Sequence, residues 1–254
     1  MIDPRSVQLG KKAPRIDRRT LKLSRYLNTT IPPAPMNESW IRKIRDWPMY
    51  LNDTLGDCVI AAMAHMVQQW TFYAKGQIVI PTNDQVLRSY EAIGGYIPGD
   101  DSTDNGCDML TALNYWRKTG LAGHKIIAYV SVNPKNITEV QQAVWLFGNL
   151  FMGLQLPITA QNPVEGNKWT VKARLTGDGS PGSWGGHCVP VMASSPYIHS
   201  CVTWGQVMRM TSNFRLAYCD ELYAVLSHDW IAKTLAAPSG FNVDQLMGDL
   251  QQIT

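Results

Sequence analysis

A cysteine that opens a long helix is the feature that most constrains this chain. From residue 58 to residue 75, Val59, Met63, Met66 and Trp70 recur at spacings of three and four, which predicts a helix with one apolar face. Asp57 stands at its N-cap position and Gly76 just beyond its last turn, so both ends are marked. Cys58 then falls in the first turn. The unpaired N–H groups and the dipole at a helix start favour negative charge, which is expected to lower the thiol pKa. The competing reading is a buried structural cysteine, the commoner fate of a free thiol.

A thiolate nucleophile needs a base and a donor for the oxyanion. His187 is the best base, because it stands in Trp184-Gly-Gly-His-Cys-Val-Pro-Val191, where an apolar strand follows two glycines that allow close backbone approach. His65 shares the helix with Cys58 but sits two turns on, roughly 10 Å by helical rise, too far for direct proton transfer, and reads as packed or partly exposed. His124, His199 and His228 read as structural or surface residues.

Around this pair the chain alternates less than it segregates. Helices are expected over 84–93 and 109–118, and a further one is opened by Thr138 with Gln141 as capping-box partner. Strands are expected at 126–132, 151–156, 188–193, 200–203 and 222–226, with a short helix over 212–219. Residues 160–183 read as a long loop, and the glycine-rich run 177–186 as a mobile segment beside His187. Helices first and strands later favour an α+β fold over a doubly wound sheet.

Residues 1–46 read differently, as an extended arm. Pro4, Pro14, Pro32, Pro33 and Pro35 break any long helix, leaving room for a short one around residues 18–27. Residues 1–45 hold eleven Lys/Arg against three Asp/Glu, a net of +8, whereas the remainder holds twelve against seventeen, a net of −5. A basic arm on an acidic body is expected to dock on that body or on a neighbour's. Without interleaved aromatics it makes a poor nucleic-acid platform.

The stretch Leu51-Asn-Asp-Thr-Leu-Gly-Asp-Cys58 resembles the papain-like cysteine peptidases, in which an amide six residues before the nucleophile helps form the oxyanion hole. Asn52 holds that position here. Asp104-Asn-Gly-Cys107 with the helical stretch after it, Thr138 to Pro157, Gly186-His187-Cys188-Val189 and Thr203-Trp204-Gly205 follow in the family's order, over roughly residues 47–205. The resemblance implies a long central helix starting at Cys58, a helical part at about 47–125 and an antiparallel β-rich part at about 126–254. It implies Cys58 as nucleophile, His187 as base and Asn52 as oxyanion donor. The Asn that orients the His in the family is missing. Counting from Trp204 puts Val202 in its place, and counting from His187 puts Thr203 there, whose hydroxyl can pair with the imidazole. The family's disulfide to the Gly-Cys segment is absent too, since Leu55 stands where its partner would be. The overall pattern is similar to papain-fold proteins of bacteriophages and bacteria.

Two functions follow as expectations. One is a thiol hydrolase acting on a peptide or protein substrate. The other is a papain-fold structural or interaction protein, such as a virion component, whose arm reaches a neighbouring subunit or builds a homo-oligomer. No cofactor is implied. The Asp101–Gly106 run lacks the acidic twelfth ligand of a calcium loop, since Ala112 stands there. His187, Cys188, His199 and Cys201 cannot converge on zinc from alternate faces of strands. Five unevenly spaced cysteines make a poor disulfide framework. With an N-terminus unlike a signal peptide and no apolar run of spanning length, a reducing, cytoplasmic setting or a virion is expected, with no membrane role.

Overall fold

The computed structural model describes residue 3 and residues 6–28, 31–172, 174–230 and 241–253; Pro4 and Arg5, counted above with the arm, lie outside them. Helix α1 spans Cys58–Lys75 and ends where Gly76, at φ 68°, returns its N–H to the Phe72 carbonyl. It is the hub of the first core, where Val59, Met63, Met66 and Trp70 are buried against α2 (Asn83–Gly94) and α3 (Met109–Lys118). A Thr82/Gln85 capping box starts α2, and the Asp108 carboxylate, accepting from the Thr111 N–H, starts α3.

The strands β1 (Glu38–Ser39), β2 (Ile126–Ser131), β3 (Leu150–Leu156), β4 (Lys168–Trp169), β5 (Gly185–Ser194), β6 (Ile198–Thr203), β7 (Gln206–Thr211) and β8 (Cys219–Ser227) form one sheet. Its order is β2-β8-β3-β5-β6-β7-β4, with β1 added at β5. The pairs are antiparallel except β4 with β7, so the sheet is mixed and the fold is α+β. Helix α4 (Ile137–Phe147), α5 (Ser212–Tyr218) and α6 (Val243–Ile253) accompany these strands. The central strands β3 and β5 are buried on both faces: Phe151, Cys188 and Met192 join the α1 core, while Leu150, Met152, Leu154, Val189 and Val191 join a second core with α4. Strands covered on both sides lose the polar alternation that would mark them in sequence.

Several expectations need correction. Asp57 occupies the N-cap of α1 but its carboxylate makes no capping bond, because φ −94° and ψ 14° depart from the extended geometry a cap requires. Helix α4 begins two residues earlier than expected. Its cap is Asn136, which accepts from the Glu139 N–H, and not Thr138. The 18–27 stretch forms only a 3-10 turn at Leu23–Arg25. Gly185 and Gly186 open β5 and are no loose segment.

Strand β7 was not foreseen. Trp204 and Gly205, at φ 49° and 67°, are the two central residues of the tight turn joining β6 to β7, with Thr203 facing Gln206. Two left-handed residues match the twist of a two-residue hairpin, but a tryptophan in the first position is a poor local signal for it. Gly205 has no such freedom to spare: a Cβ there would lie 3.1 Å from the Trp47 carbonyl oxygen. Gly205→Ala is expected to lower stability by about 1–2 kcal/mol in urea denaturation. Gly123→Ala, at φ 83° with nothing within 4 Å of the added carbon, should lose less.

Candidate active site

The start of α1 packs on β5, the strand that carries His187. Cys58 is buried in the first turn, and its sulfur faces the backbone N–H groups of Cys188 on β5 and of Gly10 in the arm. His187 precedes Cys188 on the same strand. Its Nε2 lies 2.7 Å from Thr203 Oγ1 on β6. Of the two positions counted in sequence, the hydroxyl at Thr203 is therefore the one that meets the imidazole, while Val202 packs into the α1 core. His187 Nδ1 is buried without a hydrogen-bond partner. The Trp204 ring stacks on the imidazole at 4.5 Å and 21°, which explains what holds a tryptophan in a left-handed turn.

Asn52 is buried, and its Nδ2 donates to two carbonyls, Leu55 at 3.1 Å and Gln8 of the arm at 3.3 Å. The loop reaching it passes through Tyr50 and Leu51 at φ 55° and 69°. Left-handed backbone at two bulky residues costs of order 1 kcal/mol each and persists only where the surroundings impose it. His65 is part of that surround. It is buried and not partly exposed, with Nε2 2.8 Å from the Pro48 carbonyl oxygen and its ring against Tyr50 at 4.9 Å. A further residue was missed in sequence. Asp104 accepts the Gly56 N–H through both oxygens at 3.0 Å and the Tyr90 hydroxyl besides, and so ties the turn before Cys58 to α2. In sequence it looked like one member of an Asx-rich turn.

The cleft is filled by the chain's own arm. The Gln8 N–H donates to the Asn52 carbonyl, the Lys11 N–H to Gly186, the Lys12 N–H to Cys107, and the Gly10 carbonyl accepts from the Cys107 N–H, all at 2.8–3.1 Å. Both walls thus grip an extended peptide by its backbone. The fit depends on glycine. A Cβ on Gly10 would lie 1.6 Å from the Gly56 carbonyl oxygen, one on Gly106 would lie 1.8 Å from the Gly10 carbonyl oxygen, and one on Gly186 would lie 2.1 Å from that of Lys11. The close approach expected of Gly186 is therefore made to the arm.

Enclosure governs the electrostatics. Burial pushes the Cys58 thiol up to about 12, although the Cys188 and Gly10 N–H groups favour the thiolate. This reverses the expectation from the helix start alone. The same burial pushes His187 down to about 3 and His65 down to about 4, and holds the Asp57 carboxyl well above its usual range. The remaining expectations concern residues outside the seam. His124 pairs with Asp229 at 2.6 Å, and His199 is buried among Ser194, Ser212 and Arg215. All five cysteines are free thiols. Among the described residues no group of three or more His, Cys, Asp or Glu is arranged to hold a metal ion, and no helix is long and apolar enough to cross a membrane.

Gly10→Val must lift the arm off Gly56. Alkylation of Cys58 at neutral pH, read by mass spectrometry, is expected to rise at least tenfold over the unmodified chain, with the circular dichroism of the body unchanged. A second expectation concerns acid. Unfolded His65 titrates near 6.5 and folded His65 near 4, so the unfolded chain binds more protons as pH falls below 6.5. That loss amounts to about 2 kcal/mol at pH 5. Buried carboxyls such as Asp57 act in the opposite sense, so the comparison is with His65→Gln, whose denaturation midpoint should fall less between pH 7.5 and pH 5.

No sequence family matches this chain, and no curated protein matches it. Solved structures do. Xylellain, a cysteine protease from Xylella fastidiosa, aligns with a TM-score of 0.67 at 13% identity, over 87% of this chain and 96% of that one. Digestive procathepsin L 3 of Tenebrio molitor larval midgut aligns with a TM-score of 0.60 at 12% identity, over 88% and 77%. A recombinant stem bromelain precursor gives 0.55 at 14% identity, over 88% and 78%. With a helix-opening cysteine packed across a histidine strand and this likeness over most of its length, the chain has the fold of the papain-like cysteine proteases.

Proposed function

We propose that the chain is a thiol peptidase held latent by its own N-terminal arm. The observation that carries this reading is the extended peptide seated over Cys58 and hydrogen-bonded through its backbone to both walls of the cleft. A cleft that hydrogen-bonds a peptide along its backbone is suited to peptide substrates. The likeness to solved cysteine proteases adds to it.

Once the arm leaves and water reaches the seam, the burial that suppresses ionisation of Cys58 is relieved. The thiol passes its proton to His187 Nδ1, the unpartnered nitrogen, while Nε2–H donates to Thr203 Oγ1. The thiolate attacks the substrate carbonyl carbon. The oxyanion that forms is held by the Asn52 amide and the Cys58 N–H. Collapse breaks the C–N bond, the leaving amine takes the proton from the imidazolium, and water hydrolyses the thioester by the same base. Thr203 is the positioning residue that fixes the ring, in the place of the family's Asn.

The arm resists this chemistry by its orientation. It offers the Gly10 N–H to the sulfur, and its Gly10 carbonyl oxygen is turned to the Cys107 N–H. Displacing the arm should therefore activate the chain. Gly10→Val is expected to cleave a mixed peptide library and to be labelled at Cys58 by a thiol-directed epoxide. Adding Cys58→Ala should abolish both, adding Asn52→Ala should lower kcat by about 10²–10³-fold, and adding Thr203→Val should lower kcat about tenfold or more with KM little changed. A Gly10→Val chain that is open to alkylation yet cleaves nothing would overturn the peptidase reading.

A further inference from the structure

The arm contributes more than a backbone to the cleft. Among its described residues Lys11 is the buried cation, whereas Lys12, Arg15, Arg18, Arg19, Lys22 and Arg25 are exposed. The Lys11 side chain is 0% exposed, and its Nζ lies 2.9 Å from Asp220 Oδ2 and 3.0 Å from Glu221 Oε1, at the start of β8. It also donates to the Lys12 carbonyl at 3.0 Å. Burying an ammonium is costly unless it is paired, and burial by itself lowers the Lys11 pKa. Glu221 and Asp220 more than offset that.

The pocket is built by the body and not by the arm. Gln155 Nε2 donates to Asp220 Oδ2 at 2.7 Å and the Tyr223 hydroxyl to Glu221 Oε2 at 3.0 Å, so both carboxylates are oriented independently of Lys11. Gly153 admits the aliphatic stem, since a Cβ there would lie 2.3 Å from Lys11 Cε. One buried carboxylate, Glu221, and one partly buried, Asp220, in a slot floored by glycine present a long hole with negative charge at its end. Lys11 is the immediate neighbour of Gly10, which covers the thiol.

We infer that the pocket of Asp220, Glu221 and Gly153 selects a lysine or arginine side chain of the peptide substrate, and that Lys11 fills it in the latent chain. This rests on the peptidase reading and adds to it the substrate class. The backbone bonds to Cys107 and Gly186 are indifferent to sequence. Discrimination by charge falls to this pocket, where a neutral or acidic side chain would leave two carboxylates without a counter-charge.

The test uses the full chain with the arm displaced, as Gly10→Val/Lys11→Ala, and again as Gly10→Val alone should the double variant fold poorly. Cys58→Ala is added for binding measurements. Acetylated, amidated peptides Val-Gln-Leu-Gly-Xaa-Lys, with lysine, arginine, norleucine or glutamate at Xaa, are titrated by fluorescence anisotropy. Lysine and arginine peptides should bind at least tenfold more tightly than norleucine, with glutamate weakest, and Asp220→Asn/Glu221→Gln should erase the difference. Equal binding of the lysine and norleucine peptides overturns the inference, as does a preference that survives the double carboxylate change, or no binding by any peptide. In a cleavage library with Cys58 intact, turnover without preference for basic residues overturns the pocket inference alone. Charge-selective binding with no turnover overturns the peptidase reading and leaves the pocket's preference standing.

Discussion

Everything at the seam depends on how closely α1 can lie across β5 with a peptide between them and the Gly106 wall. The gap is one backbone wide. Gly10, Gly106 and Gly186 lie there at separations that leave no room for a single added carbon, and a Cβ on Gly56 would crowd the Asp104 carboxylate at 3.0 Å. Asp104 fixes one side by holding the Gly56 N–H, and the β3–β5–β6 pairing fixes the other. Cys58, Asn52 and the arm take their positions from this spacing.

The same closeness accounts for the chemistry of the closed state. A helix start favours a thiolate, and two N–H groups add to that, yet exclusion of water outweighs both because desolvation acts on the whole charge. The neutral imidazole follows from the same cause. A low-dielectric seam disfavours charge on either group, and the arm is part of what keeps water from the Cys58 sulfur. Backbone bonds, the packing of Val7 and the Lys11 ion pairs keep the arm there, and farther along Leu23 and Tyr26 anchor it in the second core.

Much of the architecture was legible in one dimension where the signals were local. Helix α1 and the stop at Gly76, the bounds of α3, and the β5–β6 pair were all marked by periodicity or by turn residues. What escaped had either competing local signals or non-local causes. The capping of α4 by Asn136 competed with an equally good Thr138 signal. Strand β7 follows a hairpin turn whose first residue is a tryptophan, held left-handed by stacking on His187 rather than by its own preference. At the candidate site, chemistry and spacing pointed to Cys58, His187 and Asn52, and the choice between Val202 and Thr203 as partner of the imidazole was left to the β6 register.

The sequence by itself determined that a cysteine begins a buried helix, that a histidine follows a glycine pair into an apolar strand, and that a basic arm precedes an acidic body. Those are properties of neighbours along the chain. Only the tertiary structure decided that the arm lies in the chain's own cleft, that Gly10 covers the thiol, and that Lys11 ends between Asp220 and Glu221. Such pairings join residues 44 to 210 positions apart. Their energy comes from desolvation, backbone hydrogen bonding and charge, none of which is defined until the walls of the cleft have closed to one peptide's width.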